Sequence, residues 1–201
     1  MVPGTQGYAE NATALIEKYE GLAFARKHEA ILHLLPSAPV EALDIGAGTG
    51  ADASSLATQG HRVVAVEPTS AFRAFGVANH PSALIEWVND SLPLLGAVTS
   101  RAQQFGLIML TAVWMHLTKQ ERAIAMPVLA RLLAQGGVIV MALRHGPVPE
   151  GRVMFAVSPE ETIELAEHEG LRCVLNVLAE SIQAENRLAG VTWSRLAFKW
   201  A

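Results

Sequence analysis

Apolar side chains in this chain come in short blocks set apart by polar, helix-favouring stretches. The blocks are VEALDI (40–45), RVVAVE (62–67), ALIEWV (83–88), FGLIML (105–110), GVIVMAL (137–143) and LRCVLNVL (171–178). Their β-branched content and nearly continuous apolarity predict strands buried on both faces. Between them lie helical segments, of which ADASSLATQ (51–59) is the first clear one. Thr118-Lys119-Gln120-Glu121 predicts a capping box opening a helix to about Leu133, with a kink at Pro127. Ser158-Pro159-Glu160-Glu161 predicts a second capping box, with proline at the first helical position. A final block, VTWSRLAFKW (191–200), follows LRCVLNVL through a loop (179–190) with no clear helix, so those two should pair antiparallel. Strands alternating with helices predict an open, doubly wound α/β sheet of seven strands, mostly parallel with an antiparallel C-terminal edge hairpin.

Composition narrows the class. At 201 residues, 51% of them hydrophobic and 17% charged, the chain suits one well-filled core. A formal net charge of -4 lacks the basic excess that a phosphate-backbone binder needs, so no nucleic-acid partner is expected. The longest apolar stretch, 105–117, is too short and interrupted to span a membrane. MVPGTQGYAENATAL has no signal-peptide pattern, so a cytoplasmic protein, monomeric or homodimeric, is expected. Cys173, the single cysteine, permits no internal disulfide or cysteine-based zinc site, and it should be buried and inert. No metal is expected. Met115, Met126, Met141 and Met154 read as core filling.

The chemistry begins at ALDIGAGTG (42–50), where three glycines alternate straight after the first strand. Glycine lets the chain turn sharply and lets backbone approach a ligand, while the following helix offers free N–H groups. In open α/β sheets ligands bind outside the carboxyl ends of the strands. Glu67 ends the second strand about 20 residues past Gly48, where an acid can accept hydrogen bonds from both ribose hydroxyls.

This arrangement resembles the class I S-adenosylmethionine-dependent methyltransferases. Asp44-Ile45-Gly46-Ala47-Gly48-Thr49-Gly50 matches the family's acid followed by spaced glycines. Glu67, with Pro68 beside it, matches the ribose-binding acid. Asp90 and Ser91 in VNDSLP match the acid after the third strand that often holds the adenine amino group. ARLLAQGGVIVMAL (130–143) resembles the family's helix, turn and fifth strand, with Gln135 where proline is usual. The resemblance spans roughly residues 35–200 and is silent on substrate. It implies a Rossmann-like fold, S-adenosyl-L-methionine as donor and S-adenosyl-L-homocysteine as product. It also implies one domain over 1–201, with 1–35 a helical lid and 36–201 the donor-binding core. Within GYAENATALIEKYEGLAFARKHEAILHLL (7–35), read as two helices, the lid residues are Tyr8, Tyr19 and Arg26.

Other candidates follow from position. Thr111, Ala112 and Val113 end the fourth strand and should border the methyl-donor pocket. Trp114 and His116 share that loop, the alternatives being core packing and a helix start. Arg144 and His145 leave the fifth strand on a Gly/Pro-rich loop (144–151) expected to wall the substrate, with surface placement the alternative. His116 first and His145 second are the candidate general bases, since histidine can take a proton near neutral pH. After Leu110 the sequence Thr111-Ala112-Val113-Trp114 lacks the tetrapeptide with which members of the resembled family methylate nucleic-acid bases, and with the acidic charge balance this makes a small molecule the expected acceptor. Val148, Val153, Met154 and Phe155 suggest a partly hydrophobic one. Two competing functions stay open: a non-catalytic donor-binding or partner-binding protein, and a nicotinamide dehydrogenase, whose looser glycine pattern Gly46–Ala51 also satisfies. Asp44 speaks against the dehydrogenase, because it would face an anionic pyrophosphate.

Overall fold

The structure, a computed structural model, describes residues 4–201. Its seven strands are β1 (Glu41–Ile45), β2 (Arg62–Val66), β3 (Ile85–Val88), β4 (Phe105–Thr111), β5 (Leu133–His145), β6 (Leu171–Glu180) and β7 (Thr192–Trp200). They form one sheet in the order β3-β2-β1-β4-β5-β7-β6. Strands β1 to β5 pair in parallel, while β7 runs antiparallel to both β5 and β6. The strand order reverses between β1 and β4, which is where such sheets bind ligands.

Eight helices cover the sheet among the described residues: α1 (Ala12–Glu20), α2 (Phe24–Lys27), α3 (Ala51–Thr58), α4 (Ser70–Asn79), α5 (Gly96–Thr99), α6 (Lys119–Leu132), α7 (Pro159–His168) and α8 (Ala184–Leu188). Alternate strand residues feed two cores. Leu43, Ile45, Ile108, Leu110 and Met141 pack with Met126 and Leu129 of α6 on one face. Ala42, Ala65, Met109 and Val140 pack with Ala53 and Leu56 of α3 and with Ile31 on the other.

Several local expectations change. The N-terminal segment holds α1 and α2, but its second helix gives way to a 3-10 turn at Glu29–Leu34; residues 1–3 of the expected lid lie outside the described residues. The 179–190 connection contains α8. Helix α6 carries Pro127 inside it and starts with the full Thr118–Glu121 capping box. The second box is only half made. Ser158 Oγ accepts from the Glu161 backbone N–H at 3.1 Å, but the Glu161 carboxylate turns to Arg122, with contacts of 3.0 Å from Nη2 to each oxygen. Arg122 is buried, and a guanidinium out of water demands an anion more strongly than a backbone N–H at a helix end does. Trp114 is fully buried in the core, as are Met115, Met126 and Met141, whereas Met154 lines the cavity described below. Cys173 is half-buried rather than fully enclosed, because β6 is the edge strand. Burial pushes its thiol pKa up all the same.

Candidate active site

A cavity of about 360 Å³ opens at the carboxyl ends of β1, β2 and β4. Its floor is the glycine turn. Gly46, Gly48 and Gly50 all have positive φ, at 69°, 57° and 88°, which L side chains rarely adopt. A Cβ on Gly46 would lie 2.5 Å from Val113 Cγ2, and one on Gly50 would lie 2.7 Å from the Trp87 ring. Gly48 differs, because a Cβ there would meet nothing within 4 Å. Its open side faces the cavity, so its backbone is left bare to whatever binds.

Two acids frame this turn. Glu67 is buried, and its carboxylate accepts from the Gly48 N–H at 2.9 Å and the Thr69 N–H at 2.7 Å. Burial pushes its pKa up, against the pull of those two donors. Each oxygen keeps a lone pair for a hydroxyl. Asp44, 2% exposed, lies under the turn with Oδ2 lacking any hydrogen-bond partner among the described residues. Burial, with Asp52 and Glu67 nearby, raises its pKa far above the carboxylate range, while Lys27 opposes the rise. Asp52 escapes the same fate. Burial would raise it too, but His28 at 2.9 Å and Lys27 at 2.7 Å hold its pKa low. Asp44 is therefore the acid with an unmet demand for a cation.

Across the cavity, His116 is 8% exposed and bound at both ring nitrogens. Nδ1 lies 2.7 Å from the Val153 carbonyl and Nε2 lies 2.9 Å from the Tyr8 hydroxyl. A carbonyl only accepts, so Nδ1 carries the hydrogen and Nε2 receives the Tyr8 O–H. Burial lowers the His116 pKa, and the charges of Arg152 and Arg144 lower it further, so the ring is held neutral and basic at Nε2. Tyr8 sits under the Arg152 guanidinium, 3.4 Å from its ring centroid.

Most of the remaining candidates meet here. Tyr8, Tyr19, Ala47, Pro68, Asp90, Ser91, Thr111, Ala112 and Val113 line the cavity. Ala112 holds a φ of 61°, and this strained turn seats Val113 against Gly46. Asp90 also has structural duties, accepting from the backbone N–H groups of Ser91 and Ala97 at 2.8 Å and of Val98 at 3.1 Å. Three candidates fall outside the lining, the first being Gly50, which turns against the Trp87 ring. Arg26 is exposed; its neighbour Lys27, one step round α2, turns inward to Asp52 instead. His145 donates to or accepts from Ser194 Oγ at 2.7 Å, away from the cavity. Strand β5 runs through His145, so Arg144 and His145 point to opposite faces and only Arg144 reaches the cavity. Three apolar side chains of the 144–157 loop, Val148, Val153 and Phe155, are exposed instead. The loop lines the cavity with Arg144, Pro149, Arg152 and Met154.

Sequence reading missed Arg152, Trp193 and Arg195, which line the far wall. One signal for Arg195 existed: a charged residue at an inward-alternating position of an otherwise apolar strand.

Residues 43–141 match the family described as "Methyltransferase domain". That span carries the glycine turn, Glu67 and Asp90, and the protein is an S-adenosylmethionine-dependent methyltransferase. Solved structures share the fold of this methyltransferase at low identity. A TehB-like methyltransferase from Corynebacterium glutamicum matches with a TM-score of 0.68 and 20% identity, over 96% of this chain and 98% of that one. The 1,6-didemethyltoxoflavin-N1-methyltransferase of Burkholderia thailandensis matches with 0.67 and 17%, over 100% and 92%. The magnesium protoporphyrin IX methyltransferase of Synechocystis matches with 0.63 and 11%, over 96% and 81%. No curated protein matches the methyltransferase in sequence. Among its described residues, no helix is long and apolar enough to cross a membrane.

Proposed function

We propose that this methyltransferase moves the methyl group of S-adenosyl-L-methionine to an oxygen or nitrogen of a small molecule, within one domain over 1–201 whose first 35 residues act as a lid. One observation carries the reading: the Asp44 carboxylate, buried under the glycine turn, has an oxygen with no partner. The donor's ammonium group supplies the missing cation, whereas the pyrophosphate of a dinucleotide would bring a second negative charge. Gly46, Ala47, Gly48 and Gly50 shape the turn against which the amino-acid part lies. Glu67 and Pro68 hold the ribose, Asp90 and Ser91 border the adenine, and Thr111, Ala112 and Val113 border the transferred methyl. Tyr8 and Tyr19 close the cavity from above.

Bound donor supplies an electrophilic methyl on a positively charged sulfur. The protein's own work is to align the acceptor, exclude water and receive a proton where the acceptor must lose one. His116 Nε2, kept neutral by burial and oriented by the Val153 carbonyl, is the basic end of the Tyr8–His116 pair that takes it. A small acceptor suits a cavity of about 360 Å³ and the net charge of -4. The named substrates of the toxoflavin and protoporphyrin enzymes are small molecules too.

Calorimetric titration with S-adenosyl-L-methionine, S-adenosyl-L-homocysteine and NAD(H) tests the reading. Binding of the first two and not the third is expected. Binding of NAD(H) alone would overturn it.

A further inference from the structure

The far wall of the cavity is cationic, and the donor reading leaves its charge unused. Arg144 on β5 faces Trp193 on β7, their Cα atoms being direct partners in the antiparallel ladder. Arg195, two residues on, shares their face of the sheet and places its guanidinium 5.4 Å from the Trp193 ring. Arg152 hangs over Tyr8 from the 146–157 loop. All four side chains line the one cavity.

Their charges are poorly met within the protein. Arg195 is 9% exposed, yet among the described residues its guanidinium makes no hydrogen bond and no ion pair. The acid nearest in electrostatic terms is Asp52, which Lys27 and His28 already bind. Arg144 gives one N–H to the Pro147 carbonyl at 2.6 Å and has no carboxylate partner among the described residues. Burial lowers the pKa of both arginines, as expected where a charge has left water without an anion. A guanidinium has five N–H groups in a fork that fits a carboxylate, so most of this donor capacity is open.

We propose that the methyl acceptor is a small anion: a flat, partly apolar molecule bearing a carboxylate that Arg144 and Arg195 hold, with the Trp193 ring against its body. The inference rests on the methyl-transfer reading of the cavity and names its substrate class. The donor's own carboxylate is the rival claimant for these arginines. Its ammonium end belongs beside Asp44 on β1, while β5 and β7 stand two and three strands away, roughly 10 and 14 Å across the sheet. Leu15, Met154 and Pro149 give the same part of the cavity its apolar surface. The basic end of His116 lies within electrostatic reach of Arg144, so an acceptor anchored there presents its other end toward the proton acceptor.

The test uses the full chain saturated with S-adenosyl-L-homocysteine and matched probes: hydroxy- and amino-substituted benzoates against the corresponding uncharged benzamides. Calorimetry should show the benzoates binding about tenfold or more tightly than their benzamides. Arg195→Gln and Arg144→Gln should each erase that preference and leave S-adenosyl-L-homocysteine affinity as it was, which also shows that the variants fold. Equal binding of acids and amides would overturn the proposal, as would no benzoate binding at millimolar concentration. So would variants that weaken S-adenosyl-L-homocysteine itself, because the arginines would then serve the donor. Failure of the unaltered protein to bind S-adenosyl-L-homocysteine is a separate result, which removes the methyl-transfer reading and the acceptor proposal with it.

Discussion

Tyr8 and His116 stand 108 residues apart in the chain and share a 2.9 Å hydrogen bond from the phenol to imidazole Nε2. The bond ties the segment before α1 to the loop after β4, across the mouth of the cavity. It also leaves the basic nitrogen of a neutral histidine in contact with a single hydroxyl, beside the space where an acceptor must lie.

Replacing His116 with Gln should lower kcat by about a hundredfold or more if the ring receives a proton, while donor affinity stays put. The pH profile gives the sign. Burial lowers the histidine pKa from 6.5, so activity should be flat through neutral pH and fall as acid protonates the ring below that value. Steady-state kinetics across pH checks both. A profile that keeps its acid limb in His116→Gln would assign the limb to another group.

Asp44→Asn should weaken S-adenosyl-L-methionine by roughly tenfold to a hundredfold, since an ion pair becomes a neutral contact. The same change should stabilise the ligand-free fold at neutral pH. The folded pKa of Asp44 is raised from 3.8 to about 8, so between those values the folded state binds more protons than the unfolded and stability falls as pH rises. Asparagine removes that slope. Thermal melts at pH 5 and pH 8, compared between the two proteins, measure it.

Gly46→Ala and Gly48→Ala should separate folding from binding. Both positions have positive φ, which costs a residue with Cβ roughly 1 kcal/mol. At Gly46 a clash with Val113 Cγ2 at 2.5 Å adds to that cost, and the melting temperature should drop the more. At Gly48 the new methyl enters open cavity, so the main loss should be donor affinity. Paired melts and donor titrations decide it.

Arg122→Ala should destabilise the protein by about 3 kcal/mol or more, read by chemical denaturation. Arg122 binds Glu161 of α7 and the carbonyls of Leu117 and Ala156, at 2.6 and 3.2 Å for the carbonyls. Its loss frees both loops that border the cavity and strands a partly buried carboxylate.

The strands, the glycine turn and the acids Asp44 and Glu67 could be read from side-chain order alone. Strand blocks, turns and caps are local features, set by neighbours a few residues apart, and the spacing from Gly48 to Glu67 follows from one strand–helix–strand unit. Boundaries blurred where distant partners competed: Glu161 left its own helix cap for Arg122, from which it is separated by 39 residues. The inner wall of the cavity was out of reach for the same reason. Whether Arg144 or His145 faces inward depends on how far β5 extends, and that is set by its pairing with β7. Lys27 rather than Arg26 turns inward because α3 brings Asp52 beneath it. Arg144, Arg152 and Arg195 come from a strand end, a loop and a second strand, and no spacing rule links them. Long-range strand pairing and loop closure gather their charges, because the positions of those groups depend on the whole packed sheet.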